Sequence, residues 1–143
     1  MYQKVLVPVD GSETSRTALR EAIKLAKEQG AKMRLVYVCE PMGHYFTEGP
    51  LDLTAAIRRE GEQVLGDALA EARKAGVDAA TALVESGGRR VAAVIVEDAG
   101  TAGADLIAMG THGRRAVEHL VLGSVAEGVA RRAAVPVLLI RGR

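Results

Sequence analysis

Five short apolar runs recur along this chain, and between them the apolar residues switch to helical spacing. The first run, Val5 to Val9, is continuous except for Pro8 and stops at the turn signal Asp10-Gly11-Ser12. The others cover 33–38, 79–84, 106–109 and 136–140. After the first run, Ala18, Leu19, Ala22, Ile23 and Ala26 fall on one helical face, and Gly30 marks its end. A second stripe holds Ile57, Val64, Leu65, Ala68, Leu69 and Ala72 before Gly76. Further helices are expected over 90–100 and 124–133, the former weakened by the β-branched run Val94-Ile95-Val96. Strands alternating with helices imply βαβ units and an α/β fold: a parallel sheet with right-handed crossovers and helices on both faces. Composition agrees. Apolar residues make up 48% but aromatics only 3%, without Trp, so the core is aliphatic and suits a parallel sheet under Ala-rich helices.

With 143 residues the chain has the length of one domain, and residues 1–143 are expected to form it. Nineteen basic against 18 acidic side chains leave a formal charge of +1, which gives no case for nucleic acid or a membrane surface. No run is long enough to span a bilayer, and a strand begins at the N-terminus where a signal peptide would lie, so a cytoplasmic location is expected. The one cysteine, Cys39, excludes an intramolecular disulfide and reads as a small, half-buried residue at a strand end.

Ligands of open α/β sheets bind outside the carboxyl ends of the strands, where strand order reverses. Two loops of that kind stand out: Asp10-Gly11-Ser12, and Gly110-Thr111-His112-Gly113-Arg114 leading to Gly123-Ser124 at a helix start. Gly110 and Gly113 permit positive φ and close approach of a ligand. The first amides of the following helix lack internal partners and favour an anion, so the pattern reads as a phosphate cradle. Ser124 can donate its hydroxyl to a phosphate oxygen, but Ser124-Val125-Ala126-Glu127 also fits a capping box. Residues 40–52 read as a long loop suited to a lid. No G-x-x-x-x-G-K-[ST] is present and no G-x-G-x-x-G follows the first strand, which argues against a P-loop or a dinucleotide fold. Ser86-Gly87-Gly88 is a helix-entry turn. His112 has no identifiable carboxylate to orient it, so it reads as loop structure near phosphate and not as a general base.

The spacing Gly110-x2-Gly113-x9-Gly123-Ser124, the wider stretch 105–141 and the opening VLVPVDGSETSRTAL resemble the universal stress protein family in its ATP-binding subgroup. The resemblance implies strand order 3-2-1-4-5 in an adenine nucleotide alpha-hydrolase-like fold. It also implies a homodimer formed through the last strand, from Pro136 to Ile140. ATP would be the cofactor, with Mg2+ carried by its phosphates, and cyclic AMP the open alternative. By the same resemblance Pro8 and Val9 belong to the nucleotide site, Asp10 lies near ribose or adenine, Val38 packs against adenine with backbone contacts, and Met109 lies against the base. Gly110, Gly113, Arg114, Gly123, Ser124 and Val125 contact phosphates or ribose. Ala116-Val117 stands where many ATP-binding members carry glycine, which implies altered loop flexibility. The expected role is a nucleotide-responsive regulatory dimer, set against a nucleotide-independent interaction module and a slow ATPase.

Overall fold

Residues 1–40, 53–113 and 122–142 are described by the computed structural model. In chain order these form β1 (Lys4–Pro8), α1 (Glu13–Gln29), β2 (Lys32–Cys39), α2 (Leu53–Lys74), β3 (Ala79–Glu85), α3 (Val91–Ala102), β4 (Leu106–Gly110), α4 (Ser124–Arg132) and β5 (Val137–Ile140). The strands make one all-parallel sheet in the order β3-β2-β1-β4-β5, as the resemblance implied. The expected loop 40–52 lies outside the described residues, apart from Glu40.

Local chemistry sets the helix ends. The Ser12 side chain accepts from the Ser15 amide at 3.2 Å and caps α1. Gly30 takes the left-handed conformation, φ 66°, and donates its N–H to the Ala26 carbonyl at the other end. The β-branched run in α3 is tolerated because Val94 and Ile95 are buried, so packing outweighs intrinsic propensity.

Strand alternation divides the core between two faces. On one, Val5, Val7, Leu35, Tyr37 and Ala108 pack under α1 and α2. On the other, Leu6, Val36, Ile107 and Met109 pack under α3 and α4. Small residues let the layers close. A Cβ on Gly61 of α2 would stand 2.6 Å from the Leu83 side chain and 2.7 Å from Tyr37. One on Gly128 of α4 would stand 2.6 Å from Ala92 of α3. β2 is tied to α3 by a two-pronged ion pair: Arg34 Nε donates to Asp98 Oδ2 at 2.8 Å, and its Nη2 donates to Oδ1 at 2.9 Å.

The amino edge of the sheet has its own clamp. Asp105, just before β4, accepts the amides of Gln3 and Lys4, each at 2.9 Å, and Lys4 Nζ reaches the Ala102 carbonyl at 2.8 Å. Burial disfavours the Asp105 carboxylate, but the Lys4 and Gln3 amides outweigh it and hold the carboxyl below the usual range. A lowered folded-state pKa adds stability above the unfolded carboxylate pKa, and this is lost as pH falls through the folded one. Asp105→Ala is therefore expected to lower unfolding free energy by about 1–2 kcal/mol at pH 7. Urea unfolding across pH should show the gap to wild type shrinking below about pH 4.

Candidate functional site

Chain order runs outward from β1 through β2 to β3, then crosses to β4 on the other side of β1. The reversal therefore lies between β1 and β4, and here the sheet opens. β1 stays in register with β2 as far as Pro8↔Val36, and the Val9 amide still donates to the Val36 carbonyl at 2.8 Å. Its ladder with β4 stops at Leu6↔Ile107. Successive amides of a strand point to opposite sides. Since that of Val9 faces β2, the next position facing β4 is Pro8, which has no N–H to give. At the switch point, then, Pro8 ends the run of β1 donors that face β4.

Asp10 stands at the mouth of the crevice between β1 and β4. Its Oδ1 accepts the Ser12 amide at 2.8 Å in an Asx turn, and its own amide meets Ser15 Oγ at 3.2 Å. Oδ2 makes no hydrogen bond among the described residues. It lies 2.6 Å from where a Cβ on Gly113 would be, so the two candidate loops meet at this carboxylate.

The glycines of the motif serve a purpose different from the expected one. Positive φ occurs at Gly11, Gly30, Gly76, Gly87, Gly88 and Gly103, but not at Gly110, Gly113 or Gly123. What those three require is the absence of a side chain. A Cβ on Gly110 would sit 2.6 Å from Thr14 Cγ2, and one on Gly123 would sit 3.0 Å from the Thr111 carbonyl oxygen. The Gly123 amide donates to that same oxygen at 2.6 Å, which closes the base of the loop and sets the start of α4 beside the end of β4.

The capping box does not form. Gly123 is the N-cap residue of α4, with φ −71° and ψ 160°, and no side chain caps the helix. Ser124 is its first helical residue and is exposed, so the box is displaced by one position. The first amides of α4, those of Ser124 and Val125 included, are left open to an anion at the crevice. Arg114 lies outside the described residues, as do Ala116 and Val117.

The apolar positions sort by face. Val38 and Met109 belong to the α3 and α4 side, and Pro8 shares it by alternation from Leu6. Val9 points the opposite way into the core under α1, and its amide is taken by the Val36 carbonyl. Thr111, buried and unremarked in the sequence, places its hydroxyl 3.1 Å from His112 Nδ1 and supplies the carbonyl that holds Gly123. Its position directly after the last strand residue was the available signal.

A cavity of about 110 Å³ lies at the same edge of the sheet but against α2, lined by Cys39, Glu40, Thr54, Ile57, Arg58, Glu85 and Gly87. It is not the crevice. Burial pushes the Cys39 thiol pKa up, against the opposing pull of Arg58, which agrees with a packing role. Among the described residues no three His, Cys, Asp or Glu side chains gather as metal ligands, and no helix is long and apolar enough to cross a membrane.

The sequence model of the universal stress protein family matches residues 1–141. This chain belongs to that family. A universal stress protein of Methanocaldococcus jannaschii is 37% identical over 144 residues, covering 99% of this chain and 83% of its own. A universal stress protein family member from Burkholderia pseudomallei superposes with a TM-score of 0.79 at 39% identity, over 97% of this chain and 96% of its own. Two further universal stress protein structures superpose with TM-scores of 0.74. One, solved in complex with cAMP, is 28% identical over 96% of both chains. The other, from Archaeoglobus fulgidus in complex with dAMP, is 26% identical over 97% of this chain and 98% of its own.

Within this universal stress protein, Gly123→Ala presses a methyl on backbone and is expected to cost about 1–3 kcal/mol. Gly66→Ala, in α2 with nothing within 4 Å, should instead stabilise by up to about 1 kcal/mol. Denaturant midpoints of the two variants should move in opposite directions.

Proposed function

We propose that the chain binds ATP or another adenine nucleotide across the β1–β4 crevice and acts in the cytoplasm as a nucleotide-responsive regulatory homodimer. The observation that carries this is the uncapped start of α4, held beside glycines whose side-chain positions are already taken by Asp10 and the Thr111 carbonyl. The cAMP and dAMP complexes of its structural neighbours support it.

In the proposed arrangement phosphates lie on the amides of Ser124 and Val125 and along Gly110, Gly113 and Gly123. Arg114 adds positive charge, and Mg2+ comes with the phosphates. Asp10 Oδ2 accepts from a ribose hydroxyl, since Oδ1 is committed to the Asx turn. Pro8, Val38 and Met109 give the base an apolar bed, and Val9 contributes backbone alone. Bound nucleotide supplies a negative charge and a base; the chain supplies binding and orientation, with hydrolysis slow or absent. A second copy would pair along Pro136 to Ile140, since β5 is an edge strand and Leu138 on it is 40% exposed. Binding would shift the population of a dimer state read by a protein partner.

Calorimetric titration of nucleotide-stripped protein with ATP, with and without Mg2+, tests the site. Gly113→Val drives a branched side chain into Asp10 Oδ2 and is expected to weaken binding at least about tenfold, some 1.4 kcal/mol, while the protein stays folded. Equal affinity in the variant would remove the glycine cradle from the mechanism. A folded wild type that binds no nucleotide would leave a nucleotide-independent interaction module.

A further inference from the structure

Three polar side chains are buried among the described residues: Ser15, Ser86 and Thr111. Two have evident work. Ser15 Oγ accepts the Asp10 amide, and Thr111 Oγ1 meets His112. Ser86 is 3% exposed, and its hydroxyl makes no hydrogen bond among the described residues. Yet no side-chain oxygen or nitrogen there is both shut off from solvent and without a partner. The little surface that Ser86 keeps must therefore include its oxygen. A hydroxyl held this way presents one narrow opening to a hydrogen-bond partner, water or a ligand atom, which alanine would not offer.

Its direction follows from the strand. The Ser86 amide donates to the Cys39 carbonyl at 2.9 Å, so the β2–β3 ladder and its alternation extend to this residue. Val84 packs on the α3 and α4 face, whereas Glu85 pairs with Arg58 of α2. Ser86 thus returns to the α3 and α4 face just past the carboxyl end of β3, two residues beyond Val84, the partner of Val38 on β2. The residues facing that side at the carboxyl edge are then Met109 on β4, Pro8 on β1, Val38 on β2 and Ser86 on β3. Three are apolar, and the one hydroxyl stands farthest from α4. It lies two strand spacings from β1 and two residues beyond the level of Asp10, roughly 12 Å from that residue, within reach of a base whose ribose is at Asp10. Gly87 and Gly88, at φ 60° and 81°, then turn the chain away, and the Arg89 amide bonds the Ser86 carbonyl at 3.0 Å, fixing the residue from behind.

We infer that the Ser86 hydroxyl determines base specificity by accepting a hydrogen bond from the exocyclic amino group of adenine. This rests on the proposed nucleotide site and adds to it the group that reads the base edge. An apolar bed accepts any purine by stacking, whereas a buried acceptor penalises one that cannot donate to it.

The test compares ATP with purine riboside 5′-triphosphate, which lacks the amino group, by titration of wild type, Ser86→Ala and Ser86→Thr. Wild type should favour ATP by about two- to twelvefold, the range set by one hydrogen bond. Ser86→Ala should lose that preference while binding the deamino analogue as wild type does. Ser86→Thr keeps the hydroxyl and should retain the preference. Because the readout is a ratio within each variant, a general loss of affinity or stability does not imitate the effect. An unchanged ATP preference in Ser86→Ala overturns the inference and leaves the nucleotide site standing. Absence of binding of either triphosphate to folded wild type removes both.

Discussion

β1 has a strand on each side and helices above and below, and Val5, Leu6 and Val7 are sealed from water. A strand so placed must give up every amide to a neighbour or leave one unpaired in the core. Pro8 changes that requirement at one position, because it has no amide to pair. The ladder with β4 can end there without leaving an orphan donor, and the ladder with β2 continues. The loops after β1 and β4 are thereby free to separate at their start and meet again farther out, where Asp10 and Gly113 come together.

The architecture was legible because its signals are redundant. Ser12 and Gly30 bracket α1 in the sequence as they do in the structure, and continuous apolar runs mark strands buried on both faces. Strand order was not legible from periodicity, since pairing is a property of distant segments. It came through the family resemblance. The helix α3 was the weakest expectation from local preference, and the burial of Val94 and Ile95 explains why it forms.

The candidate site was legible in its residues and misread in part of its physics. Glycine offers two distinct properties, freedom of φ and absence of Cβ, and sequence does not say which is needed. At Gly110, Gly113 and Gly123 it is the second, because the space beside each Cα is held by Thr14, Asp10 and the Thr111 carbonyl. The capping box failed for a related reason. Once Gly123 is fixed by its bond to Thr111, the helix starts at Ser124 itself, one residue earlier than Ser124 needs in order to cap it. Thr111 read only as a loop residue and Ser86 only as part of a helix-entry turn, because isolated hydroxyl residues have no periodicity. Their importance shows only when burial is set against available partners.

Cys39 carries a last consequence. Oxidants attack the thiolate, and a thiol that burial keeps protonated presents little of it. The only sulfhydryl in the sequence is therefore poorly suited to register peroxide or disulfide stress. Its family takes its name from stress, but an oxidative signal reaching this chain would have to arrive as something other than thiol chemistry, such as a change in a ligand's concentration or in a partner's state.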